Sequence, residues 1–299
     1  MEYYSNLLLN GKVPQLTVIL CVVSLIVSVA LPFVLMAVFK KKYGTKIKAF
    51  WFGALVFMVF ALIIEGFINR TVILRSGVGS ALTSNIWLYA TYGGFMATLF
   101  EECGRLVCMK FLLKDCKGDK NVGLMYGAGH GGCEAIALFS IVMINNLLYA
   151  LLINSGAIAT TINTLKMSGL DENSIAVQLA SISTLVTGSS WTVLIGLVER
   201  LLAITLQLAL SVLVWACVKT GKKVYFAIAF LMHFLTDALV VIVATNLVAF
   251  IDNQNAVNWI SEGVTALITV VTVLLARIAY RDMSNSETVT AVPLEEVSE

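Results

Sequence analysis

Nine ionisable side chains stand inside apolar stretches long enough to cross a membrane: Glu101, Glu102, Arg105, His130, Glu134, Glu199, Arg200, His233 and Asp237. Placing such groups in lipid is costly, so they turn toward a bundle interior and mark catalysis, transport or tight internal pairing. Their spacing strengthens the signal, because residues four apart share a helix face. Glu101 and Arg105 are so spaced, as are His130 and Glu134, and His233 and Asp237. Each His therefore has a carboxylate one turn away, able to orient the ring, set its tautomer or share a metal. Glu199 and Arg200 are neighbours in sequence and do not share a face, so each is expected to pair elsewhere.

Two His and several carboxylates in a half-buried cavity support three chemistries. They could bind Zn²⁺ through nitrogen and oxygen ligands and leave a position for a water acidified by the metal. A buried Glu could instead activate water without a metal while a His donates to the developing oxyanion. The same groups could also form a proton relay or an ion site in a transporter. Residue types alone leave these three open. The chain has no HExxH, which excludes the usual helix-borne zincin site. Gly127, Gly129 and Gly132 match GxGxxG, but no strand precedes them, so a dinucleotide site is excluded as well.

The elements that must carry these residues are membrane helices. The chain is 59% hydrophobic and 13% charged, with a mean hydropathy of +0.90, far from the balance of a soluble domain. A span needs about 20 apolar residues. Seven stretches qualify, at roughly 14–39, 49–69, 84–112, 121–154, 190–217, 224–250 and 260–279. The expected fold is thus all-α, a polytopic bundle of about seven spans forming a single membrane domain over 1–281, followed by a polar, disordered tail at 282–299. The first span has no cleavage pattern and reads as retained. The connection 155–189 reads as a lid or cap with a short interfacial helix.

Basic residues orient the bundle. The clusters at 40–48, 110–120 and 219–223, with Arg277 and Arg281, fall on one side and predict an outside N-terminus and a cytoplasmic C-terminus. The net charge of +2 then reports orientation and not nucleic-acid binding. At 1.5 Å of rise per residue, Glu101, His130, His233 and Gln207 come out about 13 to 18 Å from the basic edge, so four helices present polar groups at one level. In the fourth span Gly123, Gly127 and Gly131 form a small-xxx-small series that lets a neighbouring helix approach closely. The six Cys show no CxxC spacing, and those within spans behave as small buried hydrophobes.

The ordered set Glu101-Glu102-x-x-Arg105, Gly129-His130-Gly131-Gly132-x-Glu134-Ala135, Glu199-Arg200 and His233-x-x-x-Asp237 resembles the YhfC family of bacterial intramembrane peptidases. That family is similar in turn to the type II CAAX prenyl endopeptidase and Abi superfamily. The match covers the polar core, 95–240. The resemblance implies that Glu101 activates water, with Glu102 as the second candidate and Arg105 holding the pair ionised. It makes His130 or Glu134 the second catalytic or metal-binding group, and gives His233 with Asp237 metal binding or oxyanion stabilisation. It also implies a further His on the fifth span, where this chain has Gln207 with Ser211 four residues on; Gln is a poor zinc ligand.

The expected protein is therefore a multi-pass protease of the bacterial cytoplasmic membrane, cleaving a peptide or a membrane-protein segment within the lipid bilayer. Its water would be activated by Glu101, or by Zn²⁺ held by His130, His233 and Glu101, in a cytoplasm-facing cavity. The alternative is a non-catalytic membrane scaffold or a transporter on the same helical core.

Overall fold

The computed structural model describes residues 1–75 and 77–290, and no strand occurs among them. In chain order the helices are α1 (Glu2–Asn10), α2 (Gln15–Tyr43), α3 (Lys48–Val56), α4 (Gly66–Arg75), α5 (Gly77–Ser84), α6 (Ile86–Val107), α7 (Val122–Glu134), α8 (Ile141–Ser155), α9 (Ile158–Lys166), α10 (Glu172–Thr187), α11 (Trp191–Thr220), α12 (Val224–Leu247) and α13 (Gln254–Thr290). π-Helical stretches join α3 to α4 (Phe57–Glu65), extend α6 (Cys108–Leu112) and join α7 to α8 (Ala135–Ser140). Among the described residues, six of the resulting rods are long and apolar enough to cross a membrane: Gln15–Tyr43, Lys48–Ile73, Val122–Ser155, Trp191–Thr220, Val224–Leu247 and Gln254–Asn285. The seventh stretch of the sequence is α6, whose 22 residues include Glu101, Glu102 and Arg105. The tail expected to be disordered from 282 lies, beyond Thr290, outside the described residues.

Large apolar side chains such as Ile19, Ile26, Ile63, Leu151, Leu267 and Ile278 are turned outward, which suits a hydrocarbon solvent in which helices satisfy their own backbone hydrogen bonds. Where helices begin in polar surroundings, side chains take over the orphaned amides. Asn85 Oδ1 accepts from the amides of Trp87 and Leu88 at 2.9 and 3.2 Å, and Asp171 Oδ1 accepts from Ser174 N at 2.9 Å.

The chain divides into two compact units. The smaller comprises Met1–Ala30 and Ala135–Arg200. Its core joins Leu8 and Val13 to Ile158, Ile175, Leu179 and Ile182, so the 155–189 connection consists of two helices, α9 and α10, packed with α1. Asn154 ties the end of α8 to the start of the chain, its Oδ1 accepting from Val13 N at 2.8 Å. Glu199 and Arg200 fall here too. Expected not to face each other, the two are in contact, and Arg200 Nε donates to Glu199 Oε2. The guanidinium stem is long enough to fold back onto its neighbour, which a rule built on Cβ directions does not allow for.

The larger unit comprises Leu31–Glu134 and Leu201–Glu299 and contains every other polar residue singled out above. At its centre is α7, ten of whose 13 residues are buried. One side of α7 packs along α3, where Gly129 lies against the Phe50 carbonyl. The other side meets α11, as the small-residue series predicts: a Cβ added at Gly127 would stand 2.7 Å from Leu208 Cα and 2.9 Å from Gln207 O. Backbone cannot yield there as a side-chain tip can. Gly127→Ala is therefore expected to push α7 and α11 apart and to destabilise the unit by about 1–3 kcal/mol, read as a lower thermal midpoint in detergent. An unchanged midpoint would show that the two helices tolerate a wider spacing.

α6 packs along α12 through the small buried residues Ala90, Gly94 and Thr98 on one helix and Ala229 and Ala238 on the other. Helix contacts of this kind bring backbones close and hold the larger polar side chains between them. On the outside of the unit, Lys46 and Lys48 both donate to Asp115, at 3.2 and 2.5 Å. The Lys48 bond first, and then that of Lys46, hold the exposed Asp115 carboxyl down at about 2.

Candidate active site

Four helices of the larger unit supply one polar centre. α6 contributes Glu101, Glu102 and Arg105; α7, His130 and Glu134; α11, Gln207 and Ser211; α12, His233 and Asp237. All seven residues expected to do chemistry are brought together here.

Arg105 is its fixed point, with no exposed surface. Its Nη1 donates to Ser211 Oγ at 2.9 Å and to the Gln207 carbonyl at 3.2 Å, and Nη2 donates to Gln207 Oε1 at 2.5 Å. Nη2 also stands 3.5 Å from Glu102 and 4.0 Å from Glu101. A buried guanidinium is tolerable only with such partners around it.

Glu101 Oε2 is the meeting point of the centre. It lies 2.8 Å from His130 Nε2 and accepts from Gln207 Nε2 at 3.2 Å, with His233 Nε2 3.8 Å away. The His130 ring is held between Phe57, edge-on at a centroid distance of 5.3 Å, and Tyr126, stacked at 6.0 Å. Its Nδ1 has no hydrogen-bond partner among the described residues, so its bond to Glu101 is its one polar anchor.

His233 is fixed differently. Nδ1 faces Glu102 Oε1 at 2.8 Å, and Nε2 lies 3.5 Å from Asp237 Oδ2. With the Nδ1 proton assigned to the Glu102 bond, Nε2 is directed between Asp237 and Glu101. Glu102 is completely buried, whereas Glu101 retains 7% exposure and the Asp237 side chain 35%. The two adjacent Glu thus differ in kind: Glu102 is an internal counterion and Glu101 borders the accessible edge.

Gln207 occupies the place where a further His was expected. Its amide donates to Glu101 and, at 2.9 Å, to Glu134 Oε2, while its oxygen accepts from Arg105. One side chain thereby ties α6, α7 and α11 together. Glu134 meets the centre through Gln207.

Three further groups, Glu65, Asn69 and Tyr92, escaped the sequence reading. Glu65, closing the π-helical stretch Phe57–Glu65, lies near enough to Glu101, Asp237 and His233 to interact with their charges. Asn69 Nδ2 donates to Glu65 Oε1 at 3.0 Å, and Tyr92 OH donates to Asn69 Oδ1 at 2.9 Å. Glu65 and Asn69 obey the four-residue rule, but Glu65 ends an apolar run, where a boundary carboxylate is ordinary. π-Helical turns often mark functional sites, and among the described residues one such stretch ends on Glu65 and another directly follows Glu134.

The donor types suit a divalent cation. In a tetrahedral site with bonds of about 2.0–2.1 Å, ligand atoms stand about 3.4 Å apart, close to the spacing of His233 Nε2 from Asp237 and from Glu101. A carboxylate on the far nitrogen of a ligating His is the usual support for such a ring, and Glu102 provides it. Among the described residues no three of these groups already surround one point, and His130 spends Nε2 on Glu101.

No solved structure matches this chain. The membrane protein YhfC of Bacillus subtilis (strain 168), itself uncharacterized, is 35% identical over 225 residues, covering 75% of this chain and 83% of the relative. Residues 27–260 match the family described as YhfC intramembrane metalloprotease. That interval contains the whole polar centre and the four helices that supply it, and this multi-pass membrane protein belongs to the YhfC intramembrane metalloprotease family.

Proposed function

We propose that the chain hydrolyses a peptide bond of a peptide or membrane-protein segment within the bilayer, and that Glu101 accepts the proton of the attacking water. The observation that carries this reading is the contrast within one helical turn. Glu101 is oriented by His130 and Gln207 and keeps 7% exposure, while Glu102, between Arg105 and His233, has none.

Each side chain has a definite task. Arg105 balances two carboxylates and keeps them ionised at the protein's interior. His130 donates to Glu101 and sets the direction of its carboxylate. Glu102 holds His233 so that its Nε2 faces the space beside Asp237. Asp237 and Glu65, the more exposed members, border the route by which water reaches the centre. As water attacks the scissile carbonyl, Glu101 takes its proton; when the C–N bond breaks, Glu101 returns that proton to the departing amine. His233 and Asp237 would hold a Zn²⁺ ion with Glu101 beside it. Such an ion supplies an acidified water and a Lewis acid for the carbonyl oxygen.

The test uses the full chain reconstituted in liposomes with a pool of membrane-protein fragments, followed by labelling of newly formed N-termini. Wild type is expected to generate new termini that Glu101→Gln does not. Elemental analysis of the same preparation is expected to find about one divalent ion per chain, lost in His233→Ala. Folded wild type that forms no new terminus, or equal cleavage by Glu101→Gln, would overturn the reading.

A further inference from the structure

On the side of α11 opposite Gln207 and Ser211 lies an open groove of about 600 Å³, within the range of about 300–1,000 Å³ typical of small-ligand sites. Its floor is apolar, made by Leu208 and Val212 of α11, Val273 and Ala276 of α13, and Leu124 of α7. The hydroxyl of Thr205, also in the lining, is committed to the Leu201 carbonyl at 2.8 Å.

The mouth has the opposite character. Tyr43, Tyr280, Arg277 and Arg281 stand there. Lys42 Nζ lies 5.1 Å from the Tyr43 ring centroid and Lys120 Nζ 5.1 Å from that of Tyr280, so four cations surround two phenol rings. Arg277 and Arg281 are one turn apart and exposed. The carboxylate nearest them in sequence, Asp282, is taken by Lys222 at 2.7 Å and Tyr225 at 2.8 Å. From Arg281 to Val273 the groove descends about 12 Å at 1.5 Å per residue.

We propose that this groove binds one anionic phospholipid, with its phosphate at Arg277 and Arg281 and an acyl chain between α11 and α13. The charge pattern selects the headgroup, since guanidinium forks match phosphate oxygens and four clustered cations repel the ammonium of a zwitterionic lipid. The floor selects the chain. A peptide laid there would leave its amides and carbonyls without partners, which hydrocarbon surroundings do not tolerate, whereas an acyl chain requires none. Basic pockets between spans are recognised sites for anionic headgroups.

The test is native mass spectrometry of the full chain released from micelles containing phosphatidylglycerol or phosphatidylcholine at equal mole fraction. Wild type is expected to retain one phosphatidylglycerol and to prefer it over phosphatidylcholine. In Arg277→Gln/Arg281→Gln the retained lipid is expected to bind about 30-fold more weakly, while Arg277→Lys/Arg281→Lys, which keeps the charge but not the fork, loses less than the Gln pair. Equal retention of both lipids by wild type, unchanged retention by the Gln pair, or equal loss in the Lys and Gln pairs would overturn the proposal. So would a polypeptide, instead of a lipid, as the species released from the groove.

Discussion

Glu101→Gln is expected to lower kcat for peptide cleavage by about 10²- to 10⁴-fold, the range associated with loss of a positioned general base, while the protein remains folded. The amide has the same shape as the carboxylate and can still accept from His130, so orientation survives. What disappears is the ability to take a proton. Glu102→Gln is expected to behave differently. Glu102 touches Arg105 and His233 and has no exposed surface. Removing its charge leaves Arg105 with less compensation and His233 with a weaker anchor, so unfolding in detergent becomes easier and the loss of activity follows the loss of folded protein. Measuring kcat and the thermal midpoint for both variants separates the two roles. Full activity in Glu101→Gln with inactivity of a stable Glu102→Gln would reverse them.

Much of this site was legible because the bilayer makes every ionisable residue conspicuous. Four-residue spacings placed Arg105, Glu134 and Asp237 on the faces of Glu101, His130 and His233, and counting from the basic ends placed four helices at one level. The small-xxx-small series in α7 indicated close approach, and α11 occupies that groove. The parts that were not legible depend on more than one helix. Gln207 reads as a missing ligand until α11 is packed, when its amide reaches Glu101, Glu134 and Arg105 together. Glu65 reads as a boundary residue until the π-helical stretch before it is known, and a π turn alters phase along a helix without altering composition. The contact between Glu199 and Arg200 was not legible because the length of an arginine side chain outweighs the direction of its Cβ.

Arg105→Met is expected to produce the largest loss of stability of any single substitution in the centre, about 3–5 kcal/mol, because removing one partner of a buried ionic network strands the others. Three of the guanidinium's hydrogen bonds end on Gln207 and Ser211, and two carboxylates lie within 4.0 Å. A methionine of similar length fills the space but satisfies none of them. The same argument predicts partial rescue. In Arg105→Met/Glu102→Gln the stranded charge next to the substitution is gone, so the double variant should be more stable than the sum of the two single losses allows, a coupling that a thermodynamic cycle measures directly. If Arg105→Met melts where wild type does, or if the two losses simply add, the carboxylates are balanced by something other than Arg105, and the distinction drawn between an enclosed Glu102 and a working Glu101 loses its physical basis.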